Sequence, residues 1–363
     1  MNKVMIAGVG RIGSLVARLL AQSSDYEVFV VDQNFSNPDA KRLFDKTPHI
    51  KQVTLDVKNE TELVNYLKKN KLQAVISCLP YSLNPFIAQA AKAAQVHYFD
   101  LTEDIQVTRL VKTLALHAES AFVPQCGLAP GFTNIATANL IKNFDTCLHA
   151  KLRVGALPQS TANALHYALT WSTDGLINEY GNWCHGIEEG ELVNLKPLSD
   201  LEPILIDGCT YEAFNTSGGL GSLAECYLGK IQTLNYKTIR YPGHCEKMRF
   251  LMHDLRLNSS REVLKKILED AIPKTYKDMV VIYLSAEGYK QGVLTELSYV
   301  KKIYPAIIDN LEWTAIQLST AFGVCAVVDI VLNHPTRLHG LILQHQFTLE
   351  EVLENRFGRF FAE

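Results

Sequence analysis

The sequence predicts an α/β protein in which a doubly wound parallel sheet is followed by a second domain of α+β character. Three observations predict this class. A glycine turn, Gly8-Val-Gly-Arg-Ile-Gly13, joins an apolar run to a segment of helical spacing. Strand-length apolar runs then alternate with helical segments through the first 130 residues. From about residue 146 the pattern changes to runs with antiparallel cues.

Residues 4–9 supply the first apolar run, and Ile12, Leu15, Val16, Leu19 and Leu20 recur at the spacing of one helix face. Residues 27–31 form the second run, and Asp32 follows nineteen positions after Gly13. At this spacing the first glycine allows a tight turn, the second admits a pyrophosphate close to the backbone, and the third lets helix pack on strand. The helix N-terminus offers free N–H groups to phosphate. An acid at the end of the second strand accepts the ribose hydroxyls. These features predict a Rossmann domain that takes NAD. NADP stays open, because Lys41 and Arg42 soften the repulsion of a 2′-phosphate by Asp32. The cofactor-binding candidates of this half are Gly8, Gly10, Arg11, Ile12, Gly13, Asp32 and Gln33.

Residues 53–57 read as the third strand, ahead of the capping-box pattern Asn59-x-x-Glu62. Residues 74–78 read as the fourth, followed by Leu79-Pro80 and a helix opened by Asn84-Pro85, with proline at its tolerated first position. Residues 96–99 give the fifth, ending at Asp100, and 121–124 the sixth. Ligands of such a sheet bind beyond the carboxyl ends of its strands. Asp56 and Val57 are therefore expected beside the adenine, and Cys78, Leu79, Pro80, Leu101 and Thr102 on the nicotinamide side. Thr102 equally suits the N-cap of the helix carrying Ile105, Leu110 and Leu114.

In the later region, strands are expected over 151–157, 204–206, 279–285 and 293–300, the last pair around Gly288-Tyr-Lys-Gln-Gly292. A long helix over 310–332 is expected to return to the nucleotide-binding domain. Its most apolar part is broken by Gln317, Ser319, Thr320 and Asp329, which predicts a buried helix rather than a membrane span. The expected organisation is a Rossmann domain over 1–130, a substrate domain over 131–308, and C-terminal helices over 309–363.

Apolar residues at 47% and charged residues at 20% exclude collagenous, coiled-coil and disordered classes. The 35 Lys+Arg against 38 Asp+Glu leave a charge of −3 and argue against nucleic acid as a partner. Eight cysteines without a C-x-x-C argue against a disulfide framework. The pairs Cys184-His185 and His244-Cys245 lack the usual spacing of metal ligands, so no metal is expected. The first residues, MNKVMIAGVG, carry no leader pattern, and the expectation is a cytoplasmic protein.

Read in order, Gly8-Val-Gly-Arg-Ile-Gly13, Cys78-Leu-Pro80, His97-Tyr-Phe-Asp-Leu101, Gly127-Leu-Ala-Pro-Gly-Phe-Thr-Asn134, Trp171-Ser172, Glu212-Ala-Phe-Asn-Thr-Ser-Gly-Gly219 and Lys237-Thr-Ile-Arg-Tyr-Pro-Gly-His244 form a set. Together they resemble the saccharopine dehydrogenase family, and its lysine 6-dehydrogenase branch most of all. The likeness runs to about residue 330 and leaves the tail after His334 unmatched. It implies NAD(P)-dependent oxidation at an amine carbon of lysine or a lysine-derived amino acid. It also implies that the second domain both binds substrate and dimerises, giving a homodimer. Gln125-Cys126 departs from that branch, which carries an acid at the first of these positions.

Loss of hydride from an amine carbon requires a neutral amine, so a proton acceptor must stand near the nicotinamide. An α-carboxylate also needs a cationic clamp. Arg240 suits the clamp, because a guanidinium binds a carboxylate through two parallel hydrogen bonds. His244 titrates in a useful range for relaying the proton. Asp100 and Glu212 are candidates for holding the ammonium or accepting its proton. Thr216 and Ser217 offer hydroxyls beside Gly218-Gly219, and Trp171 offers an apolar wall for the methylene chain. Each also has a structural reading, as cap, ion-pair partner or core, which the sequence leaves open. A saccharopine-type reaction, forming or cleaving a secondary amine, needs a second cation, for which Arg153, Lys237 and Lys247 are the candidates. A silent NAD(H) sensor is the third reading.

Overall fold

The structure, a computed structural model, describes residues 1–47, 49–160, 163–334 and 339–362; residues 335–338 of the tail fall outside it. The chain divides into two units, Met1–Phe132 with Ser319–Glu363, and Thr133–Leu318.

The first unit opens as a strand and helix alternation: β1 (Asn2–Ala7), α1 (Arg11–Gln22), β2 (Tyr26–Asp32), α2 (Pro38–Lys46), β3 (Lys51–Thr54), α3 (Glu60–Lys69), β4 (Ala74–Ser77), α4 (Asn84–Ala94), β5 (His97–Asp100), α5 (Ile105–Ala115) and β6 (Ala121–Val123). The strands pair in parallel in the order β3-β2-β1-β4-β5-β6. Apolar residues run without alternation along β4 and most of β1 because helices cover the sheet. Phe29, Val75 and Phe122 from the strands meet Leu63, Leu67, Ile87 and Val111 from the helices in one core. Asn59 caps α3 by accepting the Glu62 N–H at 3.2 Å. The cap of α5 is Asp104, which accepts the Val107 N–H at 2.8 Å, and this displaces Thr102 from that expected position.

The second unit contains most of α6 (Phe132–Lys142), then β7 (Thr146–Pro158), α7 (Thr173–Gly181), β8 (Cys184–Glu188), β9 (Glu191–Leu195), β10 (Glu202–Ile206), β11 (Cys209–Asn215), α8 (Leu223–Tyr227), β12 (Thr233–Arg240), α9 (His244–Arg249), α10 (Arg261–Ala271), β13 (Asp278–Lys290), β14 (Val293–Ile303), β15 (Ala306–Ile308) and β16 (Leu311–Trp313). Its main sheet runs β10-β11-β12-β7-β13-β14, with the β8–β9 hairpin attached at β12. Among the described strands of this sheet, only β12 and β7 pair in parallel.

The expected helix over 310–332 begins later than its sequence suggests. Asp309 and Asn310 adopt positive φ and turn β15 back on β16, a conformation these short polar side chains tolerate. The helix, α11 (Ala315–Asn333), starts where the Asp278 carboxylate accepts the N–H groups of Ala315 and Ile316 at 2.6 and 3.0 Å. Those bonds place residues 309–318 with the second unit. By length and composition α11 would cross a bilayer, yet most of it is buried within protein.

The chain then re-enters the first unit. Strand β17 (Gly340–Leu341) adds to the first sheet in parallel beside β6, and α12 (Leu349–Glu354) follows. Asp329 on α11 gathers the Tyr26 hydroxyl at 2.7 Å, the Asn355 amide at 2.8 Å and Arg356, fastening the C-terminal segment to β2.

Candidate active site

The glycine turn carries its expected geometry. Gly8 has φ of +97°, and a Cβ there would stand 3.0 Å from the Cys78 carbonyl. A Cβ on Gly13 would lie 1.9 Å from the Gly8 carbonyl oxygen, so helix and turn touch backbone to backbone. Gly10, by contrast, faces open space, with nothing within 4 Å of a Cβ. Helix α1 begins there with no side-chain cap and no acid in its first turn, so the N–H groups of Ile12 and Gly13 face an anion site. These residues fit a dinucleotide pyrophosphate. Asp32 accepts the Val9 N–H at 2.9 Å and the Asn34 N–H at 3.0 Å, so it braces the glycine turn from the position expected to receive the ribose. Gln33 beside it is exposed.

The other strand ends divide. Asp56 is exposed and accepts the Lys58 N–H at 3.0 Å, whereas the Val57 side chain belongs to the core. Val57 is therefore corrected from an adenine contact to a packing residue. Cys78 and Leu79 are half-buried and Pro80 is exposed beyond β4, and burial pushes the Cys78 thiol up to about 12. Leu101 is half-buried after β5. Thr102 is not free for cofactor: its hydroxyl accepts the Asp104 N–H at 3.0 Å, and its own N–H is held by Asp100.

Asp100 is fully buried and accepts three hydrogen bonds, from the N–H groups of Thr102 and Gln125, each at 3.0 Å, and from the Tyr98 hydroxyl at 2.8 Å. It latches the loops after β5 and β6 together, which corrects its expected role as proton acceptor. Glu103, which sequence reasoning passed over, sits three residues past Asp100 at the same sheet edge and is half-buried. Burial first, and then Asp104 and Asp100, push its carboxyl up to about 7.

In the second unit the motifs converge. Arg240 ends β12 with 2% exposure; its Nε donates to the Tyr180 hydroxyl at 2.8 Å and its Nη1 to the Ile239 carbonyl at 2.9 Å. The guanidinium lies 5.1 Å over the Tyr167 ring and 5.8 Å over that of Tyr180. Nη2 has no partner among the described residues, and no carboxylate there pairs with Arg240.

His244 is fully buried, with Nδ1 2.8 Å from the Leu165 carbonyl and Nε2 3.1 Å from the Tyr180 hydroxyl. Burial first, then Arg240, push its pKa down to about 3. A neutral ring must donate from Nδ1 to that carbonyl, so Nε2 accepts. The bonds therefore run one way, from Arg240 Nε–H to the Tyr180 oxygen and from the Tyr180 O–H to His244. His244 is corrected from a proton relay to a positioning residue for Tyr180.

Glu212 stands opposite Arg240 in the β11–β12 register, but its carboxylate accepts the N–H groups of Gly243 and Cys245 at 2.7 and 2.6 Å. It caps α9, which corrects its expected catalytic role. The Thr216 hydroxyl pairs with that of Thr238 at 2.7 Å, and the Ser217 hydroxyl donates to the Asn178 carbonyl at 3.1 Å. Both hydroxyls thus organise the loop rather than stand free for substrate. Asn134 donates to the carbonyls of Gly219 and Leu220 at 3.2 and 2.8 Å, joining two of the motifs by hydrogen bonds. Trp171 is half-buried against Gly175.

Two of the three candidates for a second substrate cation are paired with carboxylates. Arg153 pairs with Glu202, Lys237 contacts Glu202 and Asp200 at 2.7 Å each, and Lys247 donates to the Gly243 carbonyl at 2.8 Å. Both His244 nitrogens are occupied as described, and no group of three metal-ligating side chains gathers among the described residues.

Family models for the saccharopine dehydrogenase NADP binding domain and the saccharopine dehydrogenase C-terminal domain match residues 4–122 and 127–360. The chain belongs to the saccharopine dehydrogenase family. It is 25% identical to the mitochondrial alpha-aminoadipic semialdehyde synthase of Mus musculus, over 82% of this chain and 33% of that protein. It is 20% identical to the saccharopine dehydrogenase [NADP(+), L-glutamate-forming] of Schizosaccharomyces pombe, over 96% and 82% of the two chains. The chain thus spans about a third of the length of the first curated relatives it matches. Among solved structures, the apo saccharopine dehydrogenase (L-Glu forming) of Saccharomyces cerevisiae superposes with a TM-score of 0.77 at 17% identity, covering 97% and 95% of the two chains, and this likeness shows the fold.

Within this saccharopine dehydrogenase-family chain, the Asp100 latch has a measurable signature. Burial pushes its carboxyl from 3.8 up to about 6, against the pull of its three hydrogen bonds. A raised carboxyl contributes stability that is complete below its unfolded value and lost as pH rises through its folded one. The loss amounts to about 3 kcal/mol between roughly pH 4 and pH 6. Asp100→Asn still accepts both N–H groups and donates to the Tyr98 oxygen. It is expected to flatten that decline in urea unfolding measured across pH, while leaving the fold intact. Asp100→Ala leaves two buried N–H groups unpaired and costs about 2–4 kcal/mol.

Proposed function

We propose that this chain is an NAD(P)-dependent oxidoreductase acting on the CH–NH₂ or CH–NH group of lysine or a lysine-derived amino acid. The observation that carries this reading is Arg240, a buried guanidinium walled by Tyr167 and Tyr180, held by His244 through Tyr180, and left with Nη2 to meet a ligand carboxylate. The glycine turn, the start of α1 and Asp32 of the first unit would hold the dinucleotide, whose nicotinamide would supply the hydride acceptor. Asp32 supports NAD through the ribose hydroxyls, while Arg11 and Arg42, whose charges bear on Asp39, support tolerance of NADP.

A saccharopine reaction is the second reading. The names of the relatives favour it; the ion pairs of Arg153 and Lys237 favour a substrate with a single carboxylate to clamp. The test is NAD(P)H formation at alkaline pH with L-lysine, ornithine, saccharopine and diaminopimelate offered separately. Turnover of free lysine is the expected result. Turnover of saccharopine alone moves the assignment to the second reading, and tight NADH binding without turnover of any amine overturns both.

A further inference from the structure

Tyr167, in the loop that leads to α7, is 1% exposed. Its backbone is clasped by Asn163, whose side chain accepts the Tyr167 N–H at 3.4 Å and donates to its carbonyl at 2.7 Å. Two residues earlier, the Leu165 carbonyl takes the Nδ1–H of His244. The loop is thus tied to the site through its main chain. It sets the Tyr167 ring beside Arg240, whose guanidinium lies 5.1 Å from the ring centroid, and beside the His244 ring, also at 5.1 Å.

The hydroxyl on this ring is buried and has no hydrogen-bond partner. Thr170 and Trp171 stand near it, short of bonding geometry. Buried hydroxyls are nearly always bonded, and one left alone bears the full cost of losing water. Tyr180, on the other wall of Arg240, shows the ordinary arrangement: its hydroxyl accepts from Arg240 and donates to His244. Were Tyr167 a wall and nothing more, phenylalanine would fill the same space without that cost. The spare oxygen therefore calls for a ligand atom.

A carboxylate supplies one. Arg240 uses Nε for the Tyr180 hydroxyl and donates from Nη1 to the Ile239 carbonyl, so Nη2 is the nitrogen left for a ligand. One carboxylate oxygen takes Nη2, and the other needs a donor from outside the guanidinium. A phenol gives that bond without burying a second charge, and burial holds its proton in place.

We infer that the Tyr167 hydroxyl donates to the second oxygen of the substrate carboxylate and completes, with Arg240 Nη2, a two-point clamp. The inference deepens the amino-acid reading above and rests on it.

The test is Tyr167→Phe, which keeps the ring and removes one oxygen. Binding of L-lysine, and of cadaverine as the same diamine without its carboxylate, is measured by calorimetry on the full chain with NADH present. Thermal unfolding of the ligand-free chains runs beside it. Tyr167→Phe should weaken lysine binding by about tenfold or more, as one hydrogen bond to a charged group implies, and hold cadaverine as before. It should melt no lower than the wild type, because the buried group it loses was unpaired. Unchanged lysine binding, or equal weakening of both ligands, overturns the assignment and leaves Tyr167 a wall; binding of neither ligand by the wild type overturns it as well. Tyr167-dependent lysine binding without turnover of any amine would sink the proposed reaction and uphold this contact. Lysine turnover whose Michaelis constant Tyr167→Phe leaves unaltered would do the reverse.

Discussion

Arg240→Lys raises the Michaelis constant for the amino-acid substrate by about two orders of magnitude and leaves that for the nicotinamide cofactor within about twofold. Lysine retains the charge but not the fork. It gives up Nη2, the donor left for a carboxylate, and with it the bond that Nε now makes to the Tyr180 hydroxyl. Each charge-assisted bond in a buried setting is worth about 1.5–3 kcal/mol, so one lost bond and a loosened partner amount to roughly a hundredfold. The aromatic walls at Tyr167 and Tyr180 leave little room for water to stand in for the missing donor. Steady-state kinetics over both substrates is the measurement, with thermal unfolding as a control for folding. An unchanged Michaelis constant would remove the clamp from the site.

Gly13→Ala should weaken NAD(P) binding by about a hundredfold or more and lower thermal stability as well. The added carbon falls 1.9 Å from the Gly8 carbonyl. Gly8 is held in place by its φ of +97° and by its N–H, which donates to the Val31 carbonyl at 2.8 Å. Helix α1 must therefore back away from β1, carrying its N–H groups from the phosphate. Gly10→Ala is the informative partner. Nothing in the protein meets its added carbon, so stability should hold while dinucleotide affinity falls by about tenfold or more through intrusion on the pyrophosphate. Fluorescence titration with NADH beside a melting curve separates the two effects. A Gly10→Ala chain that binds cofactor normally would show that the pyrophosphate lies elsewhere.

The Rossmann half was legible because its signals are local. A glycine turn, period changes and strand ends are all written in neighbouring residues, and the six expected strands all appear within a few residues of their expected bounds. The seventh, Gly340–Leu341, has two residues and no periodicity; only its place beside Ala121 and Phe122 makes it a strand. The site residues were harder for a related reason. Glu212 and Asp100 look alike in sequence to a catalytic acid, and their true partners, the N–H groups of Gly243, Cys245, Thr102 and Gln125, are backbone groups that no side-chain pattern encodes. His244 was read by its ordinary titration range, which burial beside Arg240 abolishes. Glu103 gave no motif of its own, and its burial is set by the fold rather than by neighbouring residues.

The strand order of the first sheet also sets a timetable. A ribosome delivers β6 more than two hundred residues before β17, because the whole of Thr133–Leu318 is made in between. At roughly 5–20 residues per second, the β6 edge waits on the order of ten to forty seconds for its neighbour. During that interval Ala121 and Phe122 present unpaired N–H and carbonyl groups, a template for any passing strand. Tyr26 likewise waits for Asp329. The nascent N-terminal half is thus the stage of this molecule's life most in need of a chaperone, and a chain stopped after α11 would keep that need permanently.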